Sequence, residues 1–280
     1  MNKRRFSYKI MLQLIVDTPQ NLKAFTDNAY AQASFYFTAL LKNREIKVNG
    51  KRVGSDVPVY KGDVVTYYLT KKQEEKPAYF VVYEDENVLI VDKCDGVNSE
   101  AVFAALARSG EYYFIHRLDR NTQGLLAFAK NPEAEQALLK AFKERTAQKI
   151  YHARCFGTPE KPQAVLTDYL QKDGGRSLVK VHSNPTAGAE KIVTEYKVLS
   201  VDGETSLLEI ILHTGKTHQI RAHLAHIGCP IVGDMKYGVT AKNKAHSVTR
   251  QQLVAKYLTL GTGGVLEYLK DKTFTSQFSL

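Results

Sequence analysis

The chain has few cysteines and no long apolar run, and both shortages argue against whole classes of protein. Its 280 residues include three cysteines, Cys94, Cys155 and Cys229, and no C-x-x-C pair. A disulfide framework or a four-cysteine zinc site is therefore not expected, and a reducing cytoplasm fits. No apolar run approaches the ~18 residues of a membrane span. The basic start, residues 1–5, leads to an interrupted apolar stretch without a small-residue cleavage site, so we expect neither a signal peptide nor a membrane partner.

Acidic residues are also in short supply relative to basic ones. The chain carries 39 Lys and Arg against 29 Asp and Glu, a net charge of +10. Residues 1–76 contain 14 basic and 7 acidic side chains, so most of the excess lies near the N-terminus. Such a balance indicates a polyanionic partner, of which nucleic acid is the commonest. A basic protein with no bound partner is the alternative.

A polar run that ends in proline, residues 71–77, predicts a linker. We therefore predict two domains, 1–76 and 77–280. In the first, an Asn-Gly pair after an alternating run predicts a β-hairpin turn. The other elements expected there are a strand over 8–16, helices over 19–27 and 31–42, and a closing region over 57–69.

In the second domain, strands and helices are expected to alternate less regularly than they do in a doubly wound fold. The pattern predicts a strand–turn–strand over 80–91, helices over 99–108 and 132–143, a strand over 124–129, and strands over 149–213 with turns at 173–175 and 201–203. Successive strands with few intervening helices favour an α+β fold. We predict a catalytic domain with a largely antiparallel or mixed β-sheet flanked by helices and loops, plus a small N-terminal α+β module.

One candidate for chemistry is Asp119 in the run from Ile115 to Leu126. It lies between Arg117 and Arg120, and neighbouring cations favour the ionised form of a carboxylate. An ionised carboxylate can act as a nucleophile. A turn aspartate in a surface ion-pair network is the competing interpretation.

A second candidate is the run from Leu212 to Gly228. Thr217 is expected to cap a helix whose core stripe is Ile220, Leu224 and Ile227, and Gly228 is expected to end it. Arg221 lies about 100° around the helix from Ile220, so it need not project into solvent.

The same run contains four histidines, which raises the possibility of a metal-dependent hydrolase. His218 and His223 are five residues apart, so they do not share a helix face as an H-E-x-x-H pair does. We therefore interpret the histidines as helix-surface and capping residues and expect no metal. A phosphate loop is excluded because Ile210 stands where its first glycine is needed.

Two further runs complete the set. Strand alternation puts Lys149, Tyr151 and Ala153 on one face, where Tyr151 could stack on a base or pack across strands. The run 229–238, which includes Asp234, is interpreted as an ordered loop with no chemistry assigned from its residues alone.

Together these runs resemble the RluA family of pseudouridine synthases. The resemblance spans roughly residues 77–260, and residues 17–70 more weakly resemble an S4 RNA-binding domain. It rests on four strings in order: His116-Arg117-Leu118-Asp119 with Thr122 and Gly124; Lys149-x-Tyr151-x-Ala153; Gly215-Lys216-Thr217-His218-Gln219-Ile220-Arg221-x-His223-Leu224; and Gly233-Asp234-x-x-Tyr237-Gly238.

The resemblance implies isomerisation of uridine to pseudouridine in RNA without metal or redox cofactor. It makes Asp119 the essential catalytic aspartate and Arg221 its partner. It places Tyr151 against the target base, where the phenol could also move a proton, and it implies that Arg117 helps to hold the displaced nucleotide or fills the vacated stack. Addition at C1′, addition to the base and elimination to a glycal all stay open for Asp119.

The resemblance to an S4 domain implies a target in structured large-subunit (23S) ribosomal RNA, and transfer RNA is the second choice. A non-catalytic RNA-binding or ribosome-assembly factor is the competing class of function. We expect a monomeric, cytoplasmic protein whose partner is RNA.

Overall fold

The computed structural model describes residues 9–173 and 178–280, and the chain packs as two units. The basic start at residues 1–5 and most of the turn expected at 173–175 lie outside the described residues. The first unit contains the residues up to Phe80 and Gly96–Tyr112, and the second contains Val81–Asp95 and Tyr113–Leu280. No helix in the described ranges combines the length and apolarity needed to cross a bilayer.

The first unit is an antiparallel sheet with helices packed around one core. Its strands pair in the order β1-β6-β3-β4, and β2 pairs with β5. Its elements are β1 (Lys9–Ile15), β2 (Gln20–Asn21), α1 (Leu22–Ala29), α2 (Ala31–Lys42), β3 (Ile46–Val48), β4 (Lys51–Val53), β5 (Pro58–Val59), β6 (Val64–Thr70), α3 (Lys71–Glu74) and α4 (Ser99–Leu106). Phe25, Phe37, Leu40 and Tyr67 are among the residues that form its core.

Local signals explain most of these elements. The hairpin between β3 and β4 turns at Asn49 and Gly50, which both have positive φ, as predicted. The run 71–77 begins with a helical turn rather than linker, because Thr70 and Gln73 form a capping box.

Residues 96–112 pack with the first unit although they follow two strands of the second. The helix α4 lies against α1, and the Asn98 amide donates to Asn28 Oδ1 at 2.8 Å. Arg108 donates to the carbonyl of Ala29 at 3.2 Å. From the sequence, this segment is assigned to 77–280. Its local pattern does not indicate which of the two cores buries it.

The second unit is built on one large sheet, which is antiparallel except where β10 pairs with β16. The strand order is β13-β12-β14-β15-β11-β16-β10-β8-β7, with β9 beside β10 and β17 beside β16. The elements are β7 (Tyr79–Glu84), β8 (Val88–Lys93), β9 (Tyr113–Phe114), β10 (Gln123–Ala129), α5 (Pro132–Glu144), β11 (Gln148–Phe156), β12 (Gln163–Lys172), β13 (Val179–His182), β14 (Ala189–Asp202), β15 (Thr205–Leu212), α6 (Gln219–His226), α7 (Thr240–Ala245), β16 (Leu253–Thr259), a 3₁₀ helix (Gly264–Leu269) and β17 (Thr273–Thr275). The predicted α+β fold with a largely antiparallel or mixed sheet is confirmed.

The helix α5 begins where it does for reasons visible in the sequence. The Asn131 side chain accepts a hydrogen bond from the Ala134 N–H at 2.9 Å, and Pro132 occupies the first turn. Its buried face, which includes Ala134, Leu138 and Ala141, packs against β10.

Gly124 lies where β10 and β16 run in parallel, opposite Ala255. Its φ is +114°, and a Cβ built there would lie 2.3 Å from the Ala255 carbonyl oxygen. Both the backbone conformation and the close approach therefore require glycine.

We predict that Gly124→Ala lowers the free energy of unfolding by at least about 3 kcal/mol, because the new methyl group meets backbone. Chemical denaturation of the full chain measures this. Gly203→Ala is the matched control, since Gly203 has φ +56° but open space around its Cβ position. It should cost only about 1 kcal/mol. Equal decreases in the free energy of unfolding for the two variants would contradict the steric argument.

Candidate active site

The loop that carries Asp119 joins β9 to β10 and is held at both ends. Before Asp119, His116 Nε2 accepts a hydrogen bond from the Ala127 N–H at 3.0 Å. Burial lowers the pKa of His116 to about 3, so its imidazole is neutral and can accept. After Asp119, the Thr122 N–H donates to the Asp119 carbonyl at 3.1 Å, which closes a turn. The carboxylate position is therefore set by the backbone.

Arg221 on α6 meets Asp119 across the site, as the sequence suggests. Its Nη1 donates to Asp119 Oδ2 at 2.9 Å. The Arg221 side chain is only 7% exposed, and that of Asp119 is 23% exposed. Within the described residues, no hydrogen bond reaches Asp119 Oδ1, so a partner holds only Oδ2.

Asp234 is a member of this cluster that the sequence interpretation missed. Arg221 donates to it through Nε at 2.6 Å and through Nη2 at 3.0 Å, a bidentate pair. Asp234 in turn accepts the backbone N–H groups of Lys236 and Tyr237. Arg221 thus bridges two carboxylates, one buried and one at the site.

The charges in this cluster are mutually stabilising. Burial alone would lower the pKa of Arg221, but its hydrogen bonds to Asp234 and Asp119 raise that pKa above its ordinary value. Burial disfavours the Asp234 carboxylate, yet the Arg221 hydrogen bonds and charge hold its pKa below the usual range. Both groups are therefore ionised at neutral pH.

Tyr151 lies on β11 and is 6% exposed. The pairing of β11 with β16 shifts register between Ile150 and Tyr151, and such a bulge changes the direction of the side chain that follows. Burial, and then the charge of Asp119, raises the pKa of Tyr151, so its phenol is neutral. Tyr151 and Asp119 therefore interact electrostatically.

Arg117 is exposed on the same loop as Asp119, two residues earlier. Of the four predicted site residues, Asp119 and Arg221 are joined by a hydrogen bond, and Tyr151 interacts electrostatically with Asp119. Arg117 differs from them in its access to solvent.

The helix α6 starts one residue later than expected, and its cap is different. His218, not Thr217, is the N-cap, with φ 55° and ψ 18°, and its side chain makes no capping hydrogen bond. Gln219 fixes the approach to the helix instead: its Oε1 accepts from the Lys216 N–H at 3.1 Å, and its amide donates to the Thr194 hydroxyl at 2.9 Å.

The interpretation of the histidines as surface and capping residues is wrong for His223, which is fully buried. Its ring bonds to the Thr194 hydroxyl at 2.9 Å and to Asp168 at 2.8 Å, which ties α6 to β14 and β12. Among the described residues, no group of three or more His, Cys, Asp or Glu side chains forms a metal-binding arrangement.

Lys93 is the second residue that sequence reasoning missed. It is fully buried at the end of β8, and its Nζ donates to the carbonyls of Cys94 at 3.0 Å and Arg120 at 3.1 Å. The Arg120 bond ties the Asp119 loop to β8. Burial lowers the pKa of Lys93 to about 7, although the charge of Asp119 opposes this shift. A lysine that ends an apolar strand resembles an ordinary surface lysine in sequence, so no local signal identifies it.

We predict that the stability of the chain relative to its Lys93→Met variant depends on pH. The folded lysine releases its proton near pH 7 and the unfolded one near 10.5, so the unfolded chain binds more protons between these values. The free energy of unfolding of the wild type, minus that of the variant, should therefore rise by roughly 1–3 kcal/mol from about pH 7 to about pH 9. Urea titrations at the two pH values measure it.

Lys197→Met is the matched control, because it removes an exposed lysine from the same sheet. Equal pH slopes for the two variants, or a difference that falls as pH rises, would contradict the assignment of a buried Lys93 amine.

Comparisons with known proteins agree with this geometry. Residues 75–226 match the family model described as RNA pseudouridylate synthase. The ribosomal large subunit pseudouridine synthase C of Rickettsia bellii is 31% identical over 228 residues, covering 71% of this chain and 75% of that protein. The protein of the same name from Vibrio cholerae is 31% identical over 71% of this chain and 70% of its own length.

A solved structure, human RNA pseudouridylate synthase domain containing 4, has the same fold. It matches with a TM-score of 0.58 and 22% identity over 71% of this chain and 88% of that one. The family model covers more than half of the chain, and the residues it matches include those that join Asp119 to Arg221. The chain belongs to the RNA pseudouridylate synthase family.

Proposed function

We propose that this protein isomerises uridine to pseudouridine in large-subunit ribosomal RNA, with Asp119 as its essential carboxylate. The observation that carries the assignment is the hydrogen bond from Arg221 to Asp119 Oδ2. The same guanidinium forms a bidentate pair with the buried Asp234. This arrangement holds Asp119 Oδ2 in place and leaves Oδ1 without a hydrogen-bond partner among the described residues.

The reaction needs such a group. The C1′–N1 bond of uridine breaks, the uracil turns, a C1′–C5 bond forms, and the proton on C5 is released while N1 gains one. Addition of the aspartate to C1′, its addition to the base, and elimination to a glycal all begin with an ionised carboxylate at Asp119. Arg221 is a permanently charged partner for that carboxylate.

The other two proposed site residues act on the substrate. Tyr151 has a buried, neutral ring next to Asp119, which suits it to pack against the target base. Stacking of this kind contributes about 1–3 kcal/mol per base. Arg117 is exposed and able to contact the nucleotide or the gap it leaves in the stack. Such contacts help offset the few kcal/mol that it costs to flip a base.

We propose residues 1–76 as an S4-like RNA-binding module beside a catalytic domain over 77–280. The support is the excess of basic over acidic residues in this segment and its sheet with two packed helices. Lys47 and Arg52 lie over the Tyr68 ring, so cations and an aromatic ring lie together on this unit. Phosphate contacts from such a module make binding sensitive to salt.

The large-subunit target is supported by the names of the relatives from Rickettsia bellii and Vibrio cholerae. Transfer RNA is the alternative substrate and is included in the assay below. We further propose that the protein acts as a cytoplasmic monomer.

We predict that wild-type protein releases tritium from ribosomal RNA labelled at uridine C5, and that Asp119→Asn abolishes the release. The amide is nearly isosteric but carries no charge, so RNA affinity should stay within about threefold, or 0.7 kcal/mol. Asp202→Asn, at an exposed position of β14, is the matched control and should keep wild-type release. Release from transfer RNA alone would move the target to that class. No release from either RNA would refute the proposed activity.

Arg221→Lys should lower the single-turnover rate of release by roughly 10- to 100-fold, about 1.4–2.7 kcal/mol. Lysine keeps the charge but cannot form the hydrogen bonds to Asp119 and Asp234 at the same time. Arg145→Lys, at the exposed end of α5, controls for loss of a guanidinium. A rate for Arg221→Lys equal to that of the control would contradict the role of the bridge.

A further inference from the structure

His218 is held in an uncommon conformation between Asp119 and Tyr237. Its φ of 55° lies in the left-handed region, which few non-glycine residues adopt. Its Nδ1 is 2.9 Å from the Tyr237 hydroxyl, and its Nε2 is 3.9 Å from Asp119 Oδ2. The two nitrogens therefore have different environments, one at a fixed partner and one at the candidate active site.

The hydrogen-bond order around Tyr237 determines which nitrogen carries the proton. The Val179 N–H donates to the Tyr237 hydroxyl oxygen at 2.9 Å. Within the described part of the chain, the acceptor available to the tyrosine's own proton is His218 Nδ1. Because Nδ1 accepts, the proton of a neutral imidazole is on Nε2.

The imidazole is neutral near pH 7. Burial lowers the pKa of His218 below its ordinary value, and the positive charges of Arg221 and Lys236 act in the same direction. The negative charges of Asp119 and Asp234 oppose this but do not reverse it. A single N–H donor is thus directed at the site.

This donor has no hydrogen-bond acceptor within reach among the described residues. A separation of 3.9 Å from Asp119 Oδ2 is too long for a hydrogen bond. The His218 side chain is 12% exposed, so part of its ring is accessible to solvent. An acceptor that enters beside the Asp119 carboxylate would complete its hydrogen bonding.

We propose that His218 is a substrate-binding residue whose Nε2–H donates to an oxygen of the target uridine, and that Tyr237 fixes the tautomer this requires. The inference rests on the proposed function, since it takes the nucleotide to lie against Asp119. Uridine offers ribose and carbonyl oxygens as acceptors, and a donor fixed before binding orients the nucleoside at little entropic cost. Tyr237 is a positioning residue, because it acts through His218.

The test compares two substitutions of similar length at the same strained backbone position. His218→Met removes the donor, and His218→Gln supplies an amide N–H near the place of Nε2. With tritium-labelled large-subunit ribosomal RNA, His218→Met should lower the single-turnover release rate roughly 10- to 100-fold, and His218→Gln should recover most of that loss. RNA affinity and unfolding midpoints of both variants are measured alongside.

Tyr237→Phe distinguishes tautomer control from a structural role. It should slow release in the wild-type background, because Nδ1 then competes for the proton. The same substitution should lower the release rate less in the His218→Gln background, because an amide has no such tautomers. Equal costs in both backgrounds would show that Tyr237 acts through Val179 alone, and would overturn this part of the proposal.

Two results would overturn the proposed role of His218 as a hydrogen-bond donor. One is a release rate for His218→Met equal to that of the wild type. The other is an equal decrease in release rate for His218→Met and His218→Gln. Either result, with an active wild type, leaves the proposed function intact. A wild type that releases no tritium from ribosomal or transfer RNA refutes the proposed function, and this inference with it.

Discussion

The contact between Arg221 and its two carboxylates is the constraint on which the site depends. A guanidinium that is 7% exposed would be very costly without partners, and Asp234 and Asp119 together compensate for its lost hydration. Asp234 is itself fully enclosed, so it has no other way to satisfy its charge than Arg221 and the backbone N–H groups that point at it. Stability and chemistry are therefore coupled at one side chain.

The short helix α6 explains why polar residues are so dense in the run from Thr217 to His223. Three of these side chains have partners in the fold: Gln219 and His223 both bond to Thr194 on β14, and Arg221 reaches across to Asp119. Hydrogen bonds anchor the helix to the sheet, and the Arg221 guanidinium on the same helix contacts Asp119. A less polar helix could pack equally well but would not hold its guanidinium at a defined place.

Features that depend on neighbours in sequence could be predicted, and those that depend on neighbours in space could not. The turn at Asn49 and Gly50 and the start of α5 at Asn131 and Pro132 follow from local backbone preferences. Asp119 and Arg221 could be paired through the resemblance of whole motifs. The packing of residues 96–112 with the first unit could not be predicted from local sequence, because an apolar helix face does not specify its partner.

The residues missed were charged groups enclosed by the fold. Lys93 and Asp234 have sequence surroundings typical of exposed residues, and only the tertiary structure encloses them. His223 was assigned to the surface for the same reason. Enclosure of a charge depends on partners that are tens of residues away, as Arg120 is from Lys93.

The parallel contact of Gly124 with Ala255 has a consequence for the order in which the sheet is completed. The strand that follows Asp119 has β16 as its neighbour, and β16 is made more than a hundred residues later during synthesis. A growing chain that has not yet extended through residue 259 lacks part of that neighbouring strand. The sheet beside the Asp119 loop is therefore completed only after β16 has been synthesised.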